Sequence, residues 1–401
     1  MKSLNTIRRR LISLVIFRDL LEDPAVQALR RTLEARCSGT EDDFVEACAV
    51  FESVLFGKGC DNWTDYLYEI VMESENVCVR QHDPETFSPV LKAHMEHELQ
   101  FLNELSQLTL EDFIHGAEYP DPNVYHESWN ISQRDIAADY ATRIQEVGSK
   151  GYGMFARHHM FTVENGHLVP VKHPDPQRLE ELPGYEQERE KVIANTRALL
   201  EGKPANNVLL YGDAGTGKSS TIKAIANAFA DQGLRLVEVK KNQLYQIPDL
   251  MDSLAANPLK FILFIDDLSF TANDDNFAAL KAILEGSVGG RASNIAVYAT
   301  SNRRHLIKET LTDRTGDDIH ESDTRQELMS LSARFGLTIT FGSPDRDRYI
   351  YIVEQLARQY GVEMDSRELA VRSEAFAIRS GGRSARVAKQ FIELCKAGVH
   401  F

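Results

Sequence analysis

The stretch Val208-Leu209-Leu210-Tyr211-Gly212-Asp213-Ala214-Gly215-Thr216-Gly217-Lys218-Ser219-Ser220 sets the frame for the rest of the chain. Four apolar residues predict a short buried strand. They run straight into Gly212-x-x-x-x-Gly217-Lys218-Ser219, and Thr221 to Ala230 then predicts a helix. A strand before and a helix after is the setting in which this spacing forms a phosphate-binding loop. The glycines permit a tight turn, so that successive N–H groups and the positive helix end converge on a phosphate. Residues 212–220, that is Gly212, Asp213, Ala214, Gly215, Thr216, Gly217, Lys218, Ser219 and Ser220, are therefore expected to cradle a nucleoside triphosphate. Lys218 is expected to reach its β- and γ-phosphates, and the Ser219 hydroxyl to sit on Mg²⁺.

Working outward, strands alternate with helices. Glu186 to Glu201 predicts a helix stopped by Gly202 and Pro204. Leu234 to Val239, Phe261 to Ile265 and Asn294 to Asn302 predict further strands. The pattern implies a parallel sheet with helices on both faces and a ligand crevice at the strands' carboxyl ends. Five apolar residues end in Asp266-Asp267, one strand and one helix beyond the phosphate loop. Asp266 is expected to hold Mg²⁺ through water, and Asp267 to orient or deprotonate an attacking water.

The N-terminal part differs. Residues 1–150 read as mainly helical, with Leu91, Met95, Leu99 and Leu102 on one stripe and Ile136, Tyr140, Ile144 and Val147 on another. Ser132 is the expected cap of the second helix and Gly148 its stop. Asp83-Pro84 and Tyr119-Pro120-Asp121-Pro122 predict turns. His94-Met95-Glu96-His97-Glu98 has metal-ligand residue types without a metal-ligand spacing, and reads as a solvated helix face. Asn165-Gly166 between two apolar runs predicts a β-hairpin, placed with the Pro-rich segment after it in a connector over 151–182.

The 401-residue chain holds 43% hydrophobic and 26% charged residues, as soluble globular proteins do. A net charge of −15 argues against a generally basic nucleic-acid-coating surface. Five cysteines without a C-x-x-C pair suit reduced thiols in a cytoplasmic protein. Arg8-Arg9-Arg10 precedes an apolar run that Arg18-Asp19 interrupts, so an amphipathic helix is expected rather than a signal peptide. No run reaches the length that spans a membrane.

From about residue 180 to 401 the chain resembles the AAA+ superfamily. Asp266-Asp267 and Thr300-Ser301-Asn302-Arg303 resemble its helicase-loader and replication-initiator branch. Leu182-Pro183-Gly184-Tyr185-Glu186, Pro204-Ala205-Asn206-Asn207-Val208 and Ala299 to Leu306 resemble a bacterial family of predicted AAA+ ATPases of unknown function. The resemblance implies a P-loop NTPase core over 183–343 and a helical lid over 344–401, binding ATP and Mg²⁺. It implies Asn302 as a polar side chain that helps place the attacking water. Arg334, in Ser330-Leu331-Ser332-Ala333-Arg334-Phe335-Gly336-Leu337, would be an arginine finger reaching a neighbouring subunit's nucleotide. In Gly381-Gly382-Arg383-Ser384-Ala385-Arg386, Arg386 would touch the γ-phosphate from the lid, with Arg383 as the alternate. Tyr185 falls where the superfamily contacts adenine.

The resemblance therefore implies an ATPase acting as a ring or open-ring homo-oligomer and remodelling or recruiting an unidentified macromolecular partner. Two departures shape the alternative. Asp267 is one methylene shorter than the superfamily's usual glutamate, which favours a slow ATP-dependent switch or loader. Lys240 to Pro248 lacks an aromatic-apolar-glycine pore loop, which weakens a protein-threading reading. Nucleic acid stays open as a partner, disfavoured by the charge. The polar stretch Glu309 to Glu327 is expected to be a loop.

Overall fold

The computed structural model describes residues 3–114, 128–268, 276–285, 292–302 and 334–399. The expected turn at Tyr119–Pro122, the stretch from Arg303 to Leu306, the segment Glu309–Glu327 and Ser330–Ala333 lie outside the described residues. The chain divides into two compact units, Met1–Arg157 and His158–Phe401.

The first unit is helical throughout its described residues, with long helices over Pro24–Ser38, Glu41–Gly57, Trp63–Glu73 and Pro89–Ser106. Their starts follow local chemistry. Asp23 accepts from the N–H groups of Ala25 and Val26 ahead of Pro24, and Thr40 and Asp43 form a reciprocal capping box. Phe51 meets Trp63 and Trp129 edge to face, at 5.3 and 4.8 Å between ring centres, in the middle of the core. The first helix, Leu4–Ile12, buries Leu11 in the same cluster. No described helix is long and apolar enough to cross a membrane.

Three local expectations change. Asp135, not Ser132, caps the helix Ile136–Gln145, because its carboxylate takes the N–H of Ala138 at 3.0 Å while the Ser132 hydroxyl donates to Asp65. Gly148 lies inside a further short helix, Val147–Lys150, and Gly151 at φ 72° supplies the stop. His94, Glu96 and His97 are exposed, but Glu98 is only 5% exposed. Its carboxylate accepts the N–H groups of Val15 at 2.9 Å, Ile16 at 3.0 Å and Phe17 at 3.1 Å, fixing the turn after the first helix. Among the described residues no group of three or more His, Cys, Asp or Glu side chains could hold a metal ion.

The second unit is built on a sheet of seven described strands in the order β2-β1-β4-β5-β6-β3-β7. They are β1 Met160–Glu164, β2 His167–Pro170, β3 Val208–Gly212, β4 Leu234–Glu238, β5 Lys260–Ile265, β6 Ile295–Ser301 and β7 Leu337–Phe341. All neighbours run parallel except the hairpin β1–β2. Both faces of the central strands are covered. Val208, Leu210, Ile262, Phe264 and Tyr298 pack into one cluster, while the alternating Leu209, Phe261, Leu263 and Ile265 are equally buried on the other face.

The hairpin turns at Asn165 and Gly166, both at positive φ. It is not a connector, since β1 pairs with β4, Met160 opposite Leu236 and Phe161 opposite Val237. The reason is burial: Phe161 and Val163 are each 1% exposed and find cover only as part of the sheet. The sheet-bearing unit therefore starts at His158 rather than at 183. Strand β7, which the sequence reading did not single out, lies against β3 from Val208↔Leu337 to Gly212↔Phe341. Three helices follow, Arg346–Tyr360, Ser366–Arg379 and Ala385–Lys396, capped by Asp345, Asp365 and Ser384. The whole second unit is thus an α/β core with a mostly parallel sheet and a C-terminal helical lid.

Both tryptophans of the chain lie in the first unit, so their fluorescence reports its unfolding. Glu98→Ala leaves three backbone N–H groups of residues 15–17 without their acceptor. The expected loss is about 2–4 kcal/mol in the urea unfolding transition followed by tryptophan emission.

Candidate nucleotide site

The site forms where three adjacent strands end on the same edge. Strand β3 delivers the phosphate loop, β5 delivers Asp266 and Asp267, and β6 delivers Thr300 and Asn302. Gly212 leaves β3 at φ 139°, and a Cβ there would run into the backbone of Phe341 on the neighbouring strand. Gly215 and Gly217 turn at φ 78° and 93°, after which Lys218 opens the helix Lys218–Ala228. Its first N–H groups point at the loop's concavity, the arrangement that receives an anion.

Lys218 is only 6% exposed. Its Nζ donates to the carbonyl oxygens of Gly212 at 2.9 Å and Asp213 at 2.7 Å, and to Oδ1 of Asn302 at 3.0 Å. Burial pulls its pKa below the usual lysine value, against the opposing pull of Asp213, Asp266 and Asp267.

The other groups are joined in a circuit. Ser219 Oγ donates to Asp266 Oδ1 at 2.6 Å, and the buried Thr300 hydroxyl donates to the same oxygen. Thr300 Oγ1 also accepts the N–H of Asp267 at 2.9 Å. That bond holds Asp267 at φ 51°, in the left-handed region, and turns its carboxylate to the amide of Asn302 at 2.7 Å. Ser219 and Asp266 put two hard oxygens side by side at the end of the loop, a donor pair suited to Mg²⁺.

These groups line a cavity of about 910 Å³, within the range of small-molecule sites. Its lining includes residues 214–221, Asp266, Asp267, Asn302 and Arg386. Leu182, Pro183, Ile352 and Leu356 add apolar side chains to the lining. The lid meets the loop directly, through a hydrogen bond of 2.9 Å from the backbone N–H of Arg386 to the carbonyl of Gly215.

Other sequence-predicted residues are placed differently. Arg383 is bound to Glu374 through two hydrogen bonds of 2.8 and 2.7 Å and does not line the cavity. Tyr185 borders the cavity but is 2% exposed. Its ring stacks on Phe341 and carries the Arg348 guanidinium at 4.9 Å, its hydroxyl donates to the Gly342 carbonyl at 2.6 Å, and burial pushes its pKa up to about 12. Gly212 and Asp213 lie behind the lining, and Arg334, half-buried just before β7, is not part of it. Sequence reasoning gave Thr300 no role and missed the lid residues Ile352 and Leu356. The available signal for the lid pair was the helical spacing of Tyr349, Ile352, Val353 and Leu356, which the sequence reading did not single out; for Thr300 there was none beyond its place beside Asn302.

Comparison with known proteins supplies the family. The model described as "Protein of unknown function (DUF815)" matches residues 155–399. The chain belongs to this family. No curated protein matches it. Among solved structures, two single-substitution mutants of RuvB from Thermotoga maritima are similar at 18% identity, with TM-scores of 0.36 and 0.37. The alignments cover 54% and 56% of this chain and 64% and 67% of the RuvB chains. This DUF815 member combines a phosphate-loop sequence, acidic and polar strand ends and a C-terminal helical lid on one mostly parallel sheet.

Thr300→Val keeps the shape of a 1%-exposed side chain but removes the hydroxyl that serves both Asp266 and the Asp267 N–H. Unfolding in urea followed by far-ultraviolet circular dichroism should show a loss of about 1–3 kcal/mol. The Asp267 amide should exchange with deuterium faster than in the wild type.

Proposed function

We propose that the protein hydrolyses ATP and uses the cycle to act on a macromolecular partner. The observation that carries this reading is the circuit in which Lys218 and Asp267 share Asn302 while Ser219 meets Asp266. Phosphate binding needs a cation and water activation a carboxylate, held a few ångströms apart, and here one amide holds both. ATP would enter with its phosphates on the N–H groups of residues 214–219 and its base toward Leu182, Pro183, Ile352 and Leu356. Lys218 would exchange its loop carbonyls for phosphate oxygens. Ser219 and Asp266 would hold Mg²⁺, which neutralises charge building on the phosphates. Asp267, aimed by Asn302, would orient the attacking water, and Arg386 would approach from the lid.

Arg334 stands apart from the cavity of its own chain, which supports a role on a neighbouring copy. A ring or open ring of identical subunits follows from that role, with the first unit as the natural place for a partner. The alternative, a switch that binds ATP and turns it over slowly, draws on the grip of Asn302 on the short Asp267 side chain.

Specific activity should rise with protein concentration, in parallel with light scattering. Lys218→Ala should lose ATP binding. Asp267→Asn should keep binding and lose at least about a hundredfold in turnover. Arg334→Ala should bind ATP and lose a comparable factor, a loss that small additions of Asp267→Asn protein partly restore. Binding by a monomer with no turnover at any concentration would leave the switch reading.

A further inference from the structure

The chain is held at three consecutive residues where β7 ends and leads toward the lid. The Asp213 N–H donates to the Phe341 carbonyl at 3.1 Å, and the Tyr185 hydroxyl donates to the Gly342 carbonyl at 2.6 Å. Ser343 donates twice to one carboxylate oxygen of Asp213, from its N–H at 2.7 Å and from its hydroxyl at 2.8 Å. Asp213 is the residue after Gly212 in the phosphate loop, and its carboxylate, which is not part of the cavity lining, is bonded to Ser343. Its peptide carbonyl meanwhile accepts from Lys218 Nζ. One residue therefore touches both the ammonium that must move to a phosphate and the residue from which the lid swings.

The geometry points to Asp213 as a positioning residue, a latch that holds the lid hinge through Ser343 while the phosphate loop is empty and loosens when nucleotide takes Lys218. This rests on the ATP reading for its second half only. When Lys218 turns to a phosphate, the Asp213 carbonyl loses its donor and the loop's peptide units are free to reorient. The triphosphate also brings negative charge toward the Asp213 carboxylate. Both changes favour the unlatched state, and a ligand shifts an equilibrium only through such a difference between states. Asp213 and Ser343 are exposed, so the pair is weak enough to reverse in each cycle. Buried, fully desolvated bonds would not be.

The test is hydrogen–deuterium exchange of the full-length protein, following peptides that cover residues 341–346, with a fluorescent ATP analogue titrated in parallel. Without nucleotide, the Ser343 amide should exchange about tenfold faster in Asp213→Ala than in wild type, with Asp213→Asn in between because its amide oxygen still accepts. Saturating ATP analogue should speed exchange of the same peptide in wild type and have little further effect in Asp213→Ala. Ser343→Ala, which removes one donor and no charge, should bind the analogue about threefold more tightly than wild type. Equal nucleotide-free exchange in wild type and Asp213→Ala would overturn the latch. Faster exchange in Asp213→Ala, but unchanged wild-type exchange at saturating analogue and unchanged affinity in Ser343→Ala, would overturn the coupling and leave a static brace. Absence of analogue binding would sink the ATP reading instead, while the nucleotide-free comparison still decides whether the latch exists. Should Asp213→Ala fail to fold, Asp213→Asn and Ser343→Ala carry the same comparisons.

Discussion

A buried ammonium at the positive end of a helix is an unstable thing to leave alone. Lys218 opens the helix that follows the phosphate loop, and both its burial and the helix dipole work against its charge. Two loop carbonyls and the Asn302 oxygen satisfy its three donors, and three carboxylates, Asp213, Asp266 and Asp267, supply the opposing field. The loop thereby folds around its own lysine. On the proposed ATP reading, a phosphate entering the loop would replace these carbonyls rather than fill an unmet need. The same exchange would free groups that hold the rest of the site, so that binding and rearrangement would be one event.

The sheet order explains why those groups can meet. Strand β3 lies between β6 and β7, and β5 lies beside β6. Parallel pairing sends all four carboxyl ends to one edge, so residues far apart in sequence arrive within hydrogen-bond reach. Asp266 and Thr300 end neighbouring strands and bond directly; Gly212 ends β3 against Phe341, and no side chain fits between them. Adding the hairpin at the far edge covers β4 without disturbing this end. The meeting of these groups at one edge is thus a consequence of strand order, and the loop sequence alone would be a glycine-rich turn.

What the sequence made legible follows the range of the interactions. The phosphate loop, its strand and helix and the apolar run before Asp266 are local patterns, readable from spacing and period, while the lid came only from the family resemblance. Pairing is not local. Nothing in Met160–Pro170 says that the hairpin will lie against β4, and nothing in Leu337–Phe341 says that it will flank β3. Choice among equivalent side chains is equally hidden: Ser132 and Asp135 both suit a helix start, and packing against Asp65 removed the serine from the competition. Glu98 looked like one more charge on a polar face until the turn at Val15–Phe17 arrived with three unpaired N–H groups. The motif favoured Arg386 over Arg383 only by resemblance, and the pairing of Arg383 with Glu374, nine residues away, could not be read from it.

The lid is fastened to the phosphate loop through backbone, from the Arg386 N–H to the Gly215 carbonyl, so this contact requires no particular side chain at position 386. The guanidinium is left to the cavity, where it adds positive charge opposite Lys218. The lining of the same cavity includes Ile352 and Leu356 from the first lid helix, so any ligand spanning the phosphate loop and these side chains bridges core and lid. Such a ligand must respond to the angle between them and must also set it. A rigid hinge would waste that arrangement, and a loose one would let the lid drift when the cavity is empty. The short, exposed hydrogen bonds from Ser343 to the Asp213 carboxylate lie between these extremes, and they tie the hinge to the phosphate loop itself.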